Sequence, residues 1–494
     1  MRDRLKHLST GVAIYGAGDA AIQIVNFALL AVYVQGGFLT AVDYGALAIL
    51  VALEAFAKVL SRLGLDGAFM RYFHDRGHDV ARLSSTIIWF LVATNVVLFG
   101  GAWLAAPALG HRLFDDPQYV TAFQLMLANT FFIALTFVPF HVMRLKNEAA
   151  TYSAFAFARS VGTLALRVVF VIILGRGVAG MYAADLVVTL VLVPLMWPWF
   201  RPYLRMMFSI EELRTALRFG LPRVPHGLAQ QALEGGNRLL LGAYIPQAQL
   251  GIYQNAMTLG TGVKFFTAAF ETAWAPFYYA TARQPDAAHT FSRMTTYAVA
   301  VLVLIVAGTT ATARDLILVV LTPDYLPAVS VLPIVAVAFA LQGVYLLTSI
   351  GLNLTSRTEF YPVATMTAAI VGLVSGAVLM PPMGVTGAAL ALVIAYVTQA
   401  AVAYAFARRL YPIRYEWGRL ARVVAAGVLA TAVARALPPM PPVPGLLLRG
   451  TMAVGVFVAL LWASGFLRVT ERAFLREQVA RARKKSTRRE VPGA

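Results

Sequence analysis

The chain has 494 residues, of which 59% are hydrophobic and 13% charged, with a net charge of +18 and a mean hydropathy of +0.71. A water-soluble domain carries roughly 25% charged residues, so half that density over this length excludes a soluble globule. The absence of cysteine removes disulfides, thiolate metal sites and cysteine chemistry.

The apolar residues run in long blocks rather than in period-2 alternation, which predicts spanning helices and not an outer-membrane barrel. About 20 apolar residues cross the hydrocarbon core as a helix. On that measure six spans are predicted near 12–35, 41–61, 84–108, 119–143, 151–174 and 179–200. The basic start MRDRLKH precedes an apolar stretch interrupted by Asp19, so it reads as a retained first span rather than a cleaved signal. A basic linker, FRPYLRMMFSIEELRTALR, leads to six more spans near 219–243, 249–275, 294–313, 329–353, 361–380 and 385–407. A second basic loop precedes a last pair near 420–437 and 446–466, and RARKKSTRR lies in a basic tail.

Lys and Arg test this map, because they accumulate on the cytoplasmic side. Both termini and the even-numbered loops hold 30 of them, against five in the odd loops: Arg112, Arg176, Arg314, Arg435 and Arg449. Both ends are therefore expected in the cytoplasm. The high charge follows from topology; the tail is expected to contact anionic lipid rather than nucleic acid. A shift of 206 residues places Gly45 on Gly251, Lys58 on Lys264 and Tyr72 on Tyr278. With six spans between equivalent helices, the two halves share one orientation, as in a parallel repeat.

Eleven ionisable residues fall inside predicted spans: Asp19, Glu54, Lys58, Arg159, Arg167, Asp185, Arg223, Glu234, Arg238, Lys264 and Glu271. None falls in the last six spans. A charge at mid-bilayer costs on the order of 3 kcal/mol or more, so such residues face a bundle interior or a watery cavity. At about 100° per residue, Tyr15, Asp19, Gln23, Asn26 and Tyr33 form one polar stripe on span 1. Arg223, His226, Gln230, Glu234 and Asn237 form another on span 7. Glu54–Lys58 and Glu234–Arg238 have the spacing of i,i+4 pairs and can also serve simply to neutralise one another. No phosphate loop, metal-ligand spacing or catalytic constellation occurs, so neither a cofactor nor an enzymatic activity is expected.

The segments LSTGVAIYGAGDAAIQIVNFAL, LTAVDYGALAIL and LGLDGAFMRYF resemble the start of bacterial polysaccharide-biosynthesis flippases of the Wzx type. LRFGLPRVPHGLAQQALEGGNRLLLGAY with LGIYQNAM resembles the opening of their second half. That family groups with the multidrug and toxic-compound extruders and the lipid II flippases. The resemblance implies an all-α, MATE-like polytopic protein of about 14 spans: two pseudo-symmetric six-helix bundles (1–205 and 206–408), two added helices (409–468) and a cytoplasmic tail (469–494).

It further implies alternating access in the bacterial inner membrane, flipping an undecaprenyl-diphosphate-linked oligosaccharide for O-antigen, lipopolysaccharide or exopolysaccharide synthesis. A polymerase and glycosyltransferases are the expected protein partners. Guanidinium and ammonium groups replace the water around a diphosphate. Lys58, Arg159, Arg167, Arg238 and Lys264 are thus the expected anion-binding set, with Arg223 near the entrance. Asp19, Glu54, Glu234 and Glu271 would tune the field or carry coupling ions. An ion-coupled small-molecule exporter, a lipid II flippase and a non-transporting scaffold remain as alternatives. Asp19 stands where lipid II flippases carry a basic residue.

Overall fold

A computed structural model of the chain describes residues 25–73, 79–146 and 148–466. Asp19, Tyr15 and Gln23 on span 1 and the basic tail beyond 466 lie outside the described residues. Within them every regular element is a helix.

Nine described helices are long and apolar enough to cross a membrane. They include α4 (Val80–Leu113), α5 (Tyr119–Leu145), α6 (Ala150–Ile173) and α7 (Gly177–Leu195) in the first part of the chain. Further on come α12 (Ala287–Val320), α13 (Ala328–Leu354), the 51-residue Phe360–Leu410, α16 (Trp417–Arg435) and α17 (Pro442–Ala463). Left out of that set are α1 (Val25–Gln35), α2 (Ala41–Leu60), α9 (224–242), α10 (Gln247–Gly260) and α11 (Gly262–Thr281). These occupy predicted spans 1, 2, 7 and 8. α1 and α10 are too short for the set, and α2, α9 and α11 carry Glu54, Lys58, Glu234, Arg238, Lys264 and Glu271. Two short helices, α3 (Leu65–Tyr72) and α8 (Ile210–Gly220), complete the frame.

The 51-residue helix is a hairpin. Gly384 has φ 53°, ψ −129°, a left-handed conformation that favours glycine. It separates α14 (360–383) from α15 (385–410), and the arms return alongside each other. Phe360 stacks on Phe406 with ring centroids 4.3 Å apart, and Gln399 Nε2 donates to Thr365 Oγ1 at 3.3 Å. Small residues line the joint: a side chain on Gly372 would meet Ala395 at 2.8 Å. Lipid offers helices no hydrophobic drive to associate, so close packing of small residues supplies the attraction instead.

Two glycine crossings join the first part of the chain to the second. In the first, α2 lies on α10. A Cβ on Gly45 would strike the Gln247 carbonyl oxygen, and one on Gly251 would strike that of Ala41. Each glycine therefore touches the residue that stands at position 41 or 247 under the 206-residue shift. Gln247, only 5% exposed, staples the crossing. Its Nε2 donates to Val42 O at 3.0 Å and its Oε1 accepts from Asp115 N at 3.0 Å. Next to it, Thr40 and Asp43 cap α2 reciprocally, and Tyr119 donates its hydroxyl to Asp43 Oδ1 at 2.9 Å. In the second crossing, Gly64 (φ 71°) at the start of α3 lies against Gly220 at the end of α8.

α16 and α17 dock on α12 through polar contacts at two levels. At one, Glu416 accepts from Arg419 at 2.8 Å and from Thr296 at 2.9 Å, with Arg419 also over the Phe466 ring at 4.4 Å. At the other, Arg449 pairs with Asp315 at 2.5 Å, their side chains 8% and 0% exposed. Arg449 also donates to the carbonyls of Pro438 at 2.9 Å and Leu437 at 3.2 Å. Gly445 leaves room for the carboxylate, since a Cβ there would lie 2.6 Å from Asp315 Oδ1. This corrects the sequence reading twice. Arg449 sits inside a helix rather than in a loop, and the last six spans do hold buried charge. A salt bridge between helices 134 positions apart leaves no periodicity by which to recognise it.

Candidate functional site

Helical spacing aligns Glu54, Lys58 and Arg62 along the end of α2 and just beyond, four residues apart each time. Glu54 and Lys58 form an ion pair at 2.7 Å. Glu54 lines three adjoining cavities of about 720, 580 and 250 Å³, and Lys58 lines the larger two. The largest is closed on its other side by Asp66, Gly67, His141, Arg223 and Gly227. The second runs between α5 and α6 and is lined by Asn129, His141, Arg144, Tyr152, Arg159, Arg167 and Asp185. The smallest extends past Asn26 and Tyr33 towards the Gly45 crossing.

The larger two cavities together expose six basic side chains, Lys58, Arg62, Arg144, Arg159, Arg167 and Arg223, against the acids Glu54, Asp66 and Asp185. The bases differ in how far they are neutralised. Arg167 is held by a two-pronged pair with Asp185, Nε to Oδ1 at 3.0 Å and Nη2 to Oδ2 at 2.7 Å. Arg62 reaches Asp66 only at 3.9 Å. Arg144 lies over the Tyr152 ring at 4.6 Å and donates to its hydroxyl. Arg223 rests on the Phe219 ring at 4.9 Å with its guanidinium against Gly67, where any side chain would displace it. Arg159 has no carboxylate in ion-pair contact among the described residues, although it lines the second cavity. An excess of cations around a half-enclosed space attracts anions, and a phosphate group accepts from several guanidiniums at once.

Of the residues selected from sequence, Lys58, Arg159, Arg167 and Arg223 are brought together here with Glu54. Arg238 and Lys264 are not in these walls. Glu234 meets Lys264 at 3.9 Å and accepts from Gln230 Nε2 at 2.7 Å, so the expected Glu234–Arg238 pair does not form. Arg238 Nε is buried without a hydrogen-bond partner among the described residues, and Lys264 lies over the Phe339 ring at 4.5 Å. Glu271 is exposed and also lies away from the three cavities.

The polar stripe predicted on span 7 is broken for a local reason. Residues Ala232–Gly236 form a π-helical turn, which inserts one residue and rotates the rest of the helix by roughly 100°. Ahead of that turn, Arg223, Val224, Gly227 and Gln231 line the largest cavity. Asn237 instead turns into packing against α15, donating to Ala388 O at 3.4 Å. Sequence reasoning missed Arg62, Arg144 and His141 as wall residues. Arg62 and Arg144 were counted as loop cations, and only the bend of the chain around Gly64 and the packing of α5 on α6 bring them inward.

A helical, multi-pass membrane protein built around a cationic chamber is what this fold and site define. Over residues 37–330 the chain matches the polysaccharide biosynthesis protein family, and it belongs to that family. Among solved structures it is similar to the lipid II flippase MurJ in an inward closed conformation, at TM-score 0.77 and 11% identity, over 91% of this chain and 98% of that one. It is also similar to an inward-facing multidrug resistance MATE family transporter of the MOP superfamily, at TM-score 0.63 and 16% identity, over 81% and 95%. A MATE structure in complex with MaL6 aligns at TM-score 0.53 and 16% identity, over 84% and 97%. No curated protein sequence matches the chain. At these identities the structural likeness is one of fold.

Proposed function

We propose that this protein is a transporter that flips an undecaprenyl-diphosphate-linked oligosaccharide across the bacterial cytoplasmic membrane for surface polysaccharide synthesis. The observation that carries the reading is the chamber's unequal charge: six basic side chains against three acids, with Arg159 unpaired among the described residues. A diphosphate leaving water needs such donors, and Arg supplies them in planar pairs. Membership of a polysaccharide biosynthesis family and the fold shared with flippases and exporters support the same reading. Both termini are cytoplasmic in this scheme, which puts Arg62, Arg144 and Arg223 at the loading end and the Gly45–Gly251 crossing at the outer end. The halves 1–205 and 206–408 rock about that crossing, 409–468 braces the second half, and 469–494 rests on anionic lipid. Lys58, Arg159 and Arg223 hold the diphosphate, Arg167 is positioned by Asp185, and Glu54 sets the field. Arg238, Lys264 and Glu234 form a separate charged group that serves coupling rather than the first contact with substrate, and Glu271 serves coupling as well.

The test is replacement of Lys58 or Arg159 by Ala in the native host. Each variant is expected to lose surface polymer at least tenfold and to accumulate the lipid-linked oligosaccharide on the cytoplasmic leaflet, with normal protein in the membrane. Unchanged polymer in both variants refutes the reading. Extrusion of cationic drugs by the wild-type chain in a sensitised host would favour an ion-coupled exporter instead.

A further inference from the structure

The smallest cavity differs in chemistry from the two it adjoins. At its floor stand Glu54 and Arg167, the latter neutralised by Asp185 at 2.7 Å. The rest of its wall is uncharged: tyrosines, amides, a threonine and aliphatic side chains. Asn26, Tyr33, Tyr44, Tyr182, Gln254 and Thr258 supply the polar groups. Tyr33, Tyr44 and Tyr182 are 3%, 7% and 3% exposed and present rings as well as hydroxyls. The Tyr33 hydroxyl and Gln254 Oε1 are buried with no hydrogen-bond partner among the described residues. Leaving such groups unpaired costs about 1–3 kcal/mol each, and both residues line this cavity. Rings with hydroxyl tips beside amides make a surface with apolar faces and polar edges, and a sugar has the same two aspects.

We propose that this compartment is a subsite for the sugar attached to the diphosphate, and that it takes an uncharged sugar. The inference rests on the diphosphate reading of the adjoining chamber. With the diphosphate at Lys58 and Arg159, the glycan continues from it past Glu54 and into this space. Tyr33 donates to a ring hydroxyl and Gln254 Oε1 accepts from one, which satisfies both orphaned groups. Glu54 and Arg167, the ionised residues of this wall, are already paired with Lys58 at 2.7 Å and with Asp185 at 2.7 Å, so no free cation is left among the residues that line this cavity to receive a carboxylate. An acidic first sugar is therefore rejected by the same wall that accepts a neutral one.

Three probes separate the contributions: a short-chain polyprenyl diphosphate, the same lipid carrying a neutral N-acetylhexosamine, and the same lipid carrying a hexuronic acid. Binding is measured on the full-length protein in nanodiscs. The wild type is expected to bind the neutral glycolipid about tenfold more tightly than the sugar-free lipid, and the acidic one no more tightly than the sugar-free lipid. Tyr33→Phe with Gln254→Leu is expected to abolish the neutral-sugar advantage while leaving the sugar-free lipid unchanged. Tyr182→Phe gives a second variant, with unaltered ring packing, should the double substitution fold poorly. Equal binding of sugar-free and neutral lipids by the wild type, or tighter binding of the acidic one, overturns the proposal. So does a parallel loss of both the sugar-free and the neutral lipid in the subsite variants. Arg159→Ala should weaken all three probes alike; if it weakens none, the diphosphate reading fails, independently of the sugar comparison.

Discussion

At the scale of single residues, the buried charges of this protein differ in whether another group answers them. Asp315 and Arg449 answer each other with both side chains buried, and Arg449 also satisfies two carbonyls at the turn between α16 and α17. Removing one partner of a buried pair strands the other at a cost of about 3–5 kcal/mol, whereas replacing both by apolar groups is often close to neutral. Arg449→Leu should therefore lower the thermal unfolding midpoint of the solubilised protein sharply. Asp315→Leu with Arg449→Leu should recover most of the loss; a double variant as unstable as the single one would show that the carbonyl contacts matter more than the ion pair. The chamber bases follow a different rule. Arg167 is answered by Asp185, whereas Arg159 has no carboxylate in ion-pair contact among the described residues.

At the scale of elements, the glycine contacts decide how closely helices approach. Gly45 and Gly251 bring α2 and α10 together so closely that backbone faces backbone. Gly45→Leu must push them apart and break the bonds that Gln247 makes to Val42 and Asp115. If the crossing seals the chamber on that side, the substitution opens a path to the smallest cavity. The native chain has no cysteine, so a single Leu47→Cys, at a cavity-lining position 7% exposed, supplies the only thiol. Its labelling by an impermeant maleimide added outside the cell should accelerate at least tenfold in the Gly45→Leu background. An unchanged rate would place the seal elsewhere. The π-helical turn at Ala232–Gly236 is the other decisive local feature: it shifts the helical register after Gln231, with Glu234 meeting Lys264 and Asn237 packing against α15.

At the scale of the whole molecule, α16 and α17 are more than an appendage. Their polar docking on α12 leaves Asp315 buried in the body of the protein. A chain ending at residue 410 should therefore be less stable than the full chain, and Asp315→Leu should partly restore it. Equal stability of the truncated chain with and without Asp315→Leu would show that burial of Asp315 depends little on α17. The chamber itself is drawn mainly from α2, α3, α5 and α6, with α7 adding Asp185 and α9 its first turns. Transport in this scheme couples that wall to motion of the second half about the Gly45 crossing.

Composition and helical periodicity were enough to establish a many-spanning helical protein and to single out Glu54, Lys58, Arg159, Arg167 and Arg223 as charges within its predicted spans, because membrane burial penalises each charge where it stands in the chain. Family membership was legible too, in motifs that keep their order and spacing. Partner choice was not. Glu234 meets Lys264 rather than Arg238, Arg449 meets Asp315, and Arg62 and Arg144 turn inward. Each depends on where separate helices cross and on one π-helical turn that shifts the period by a residue. Sequence spacing fixes the direction of a side chain around its own helix, but only tertiary packing decides what stands opposite it.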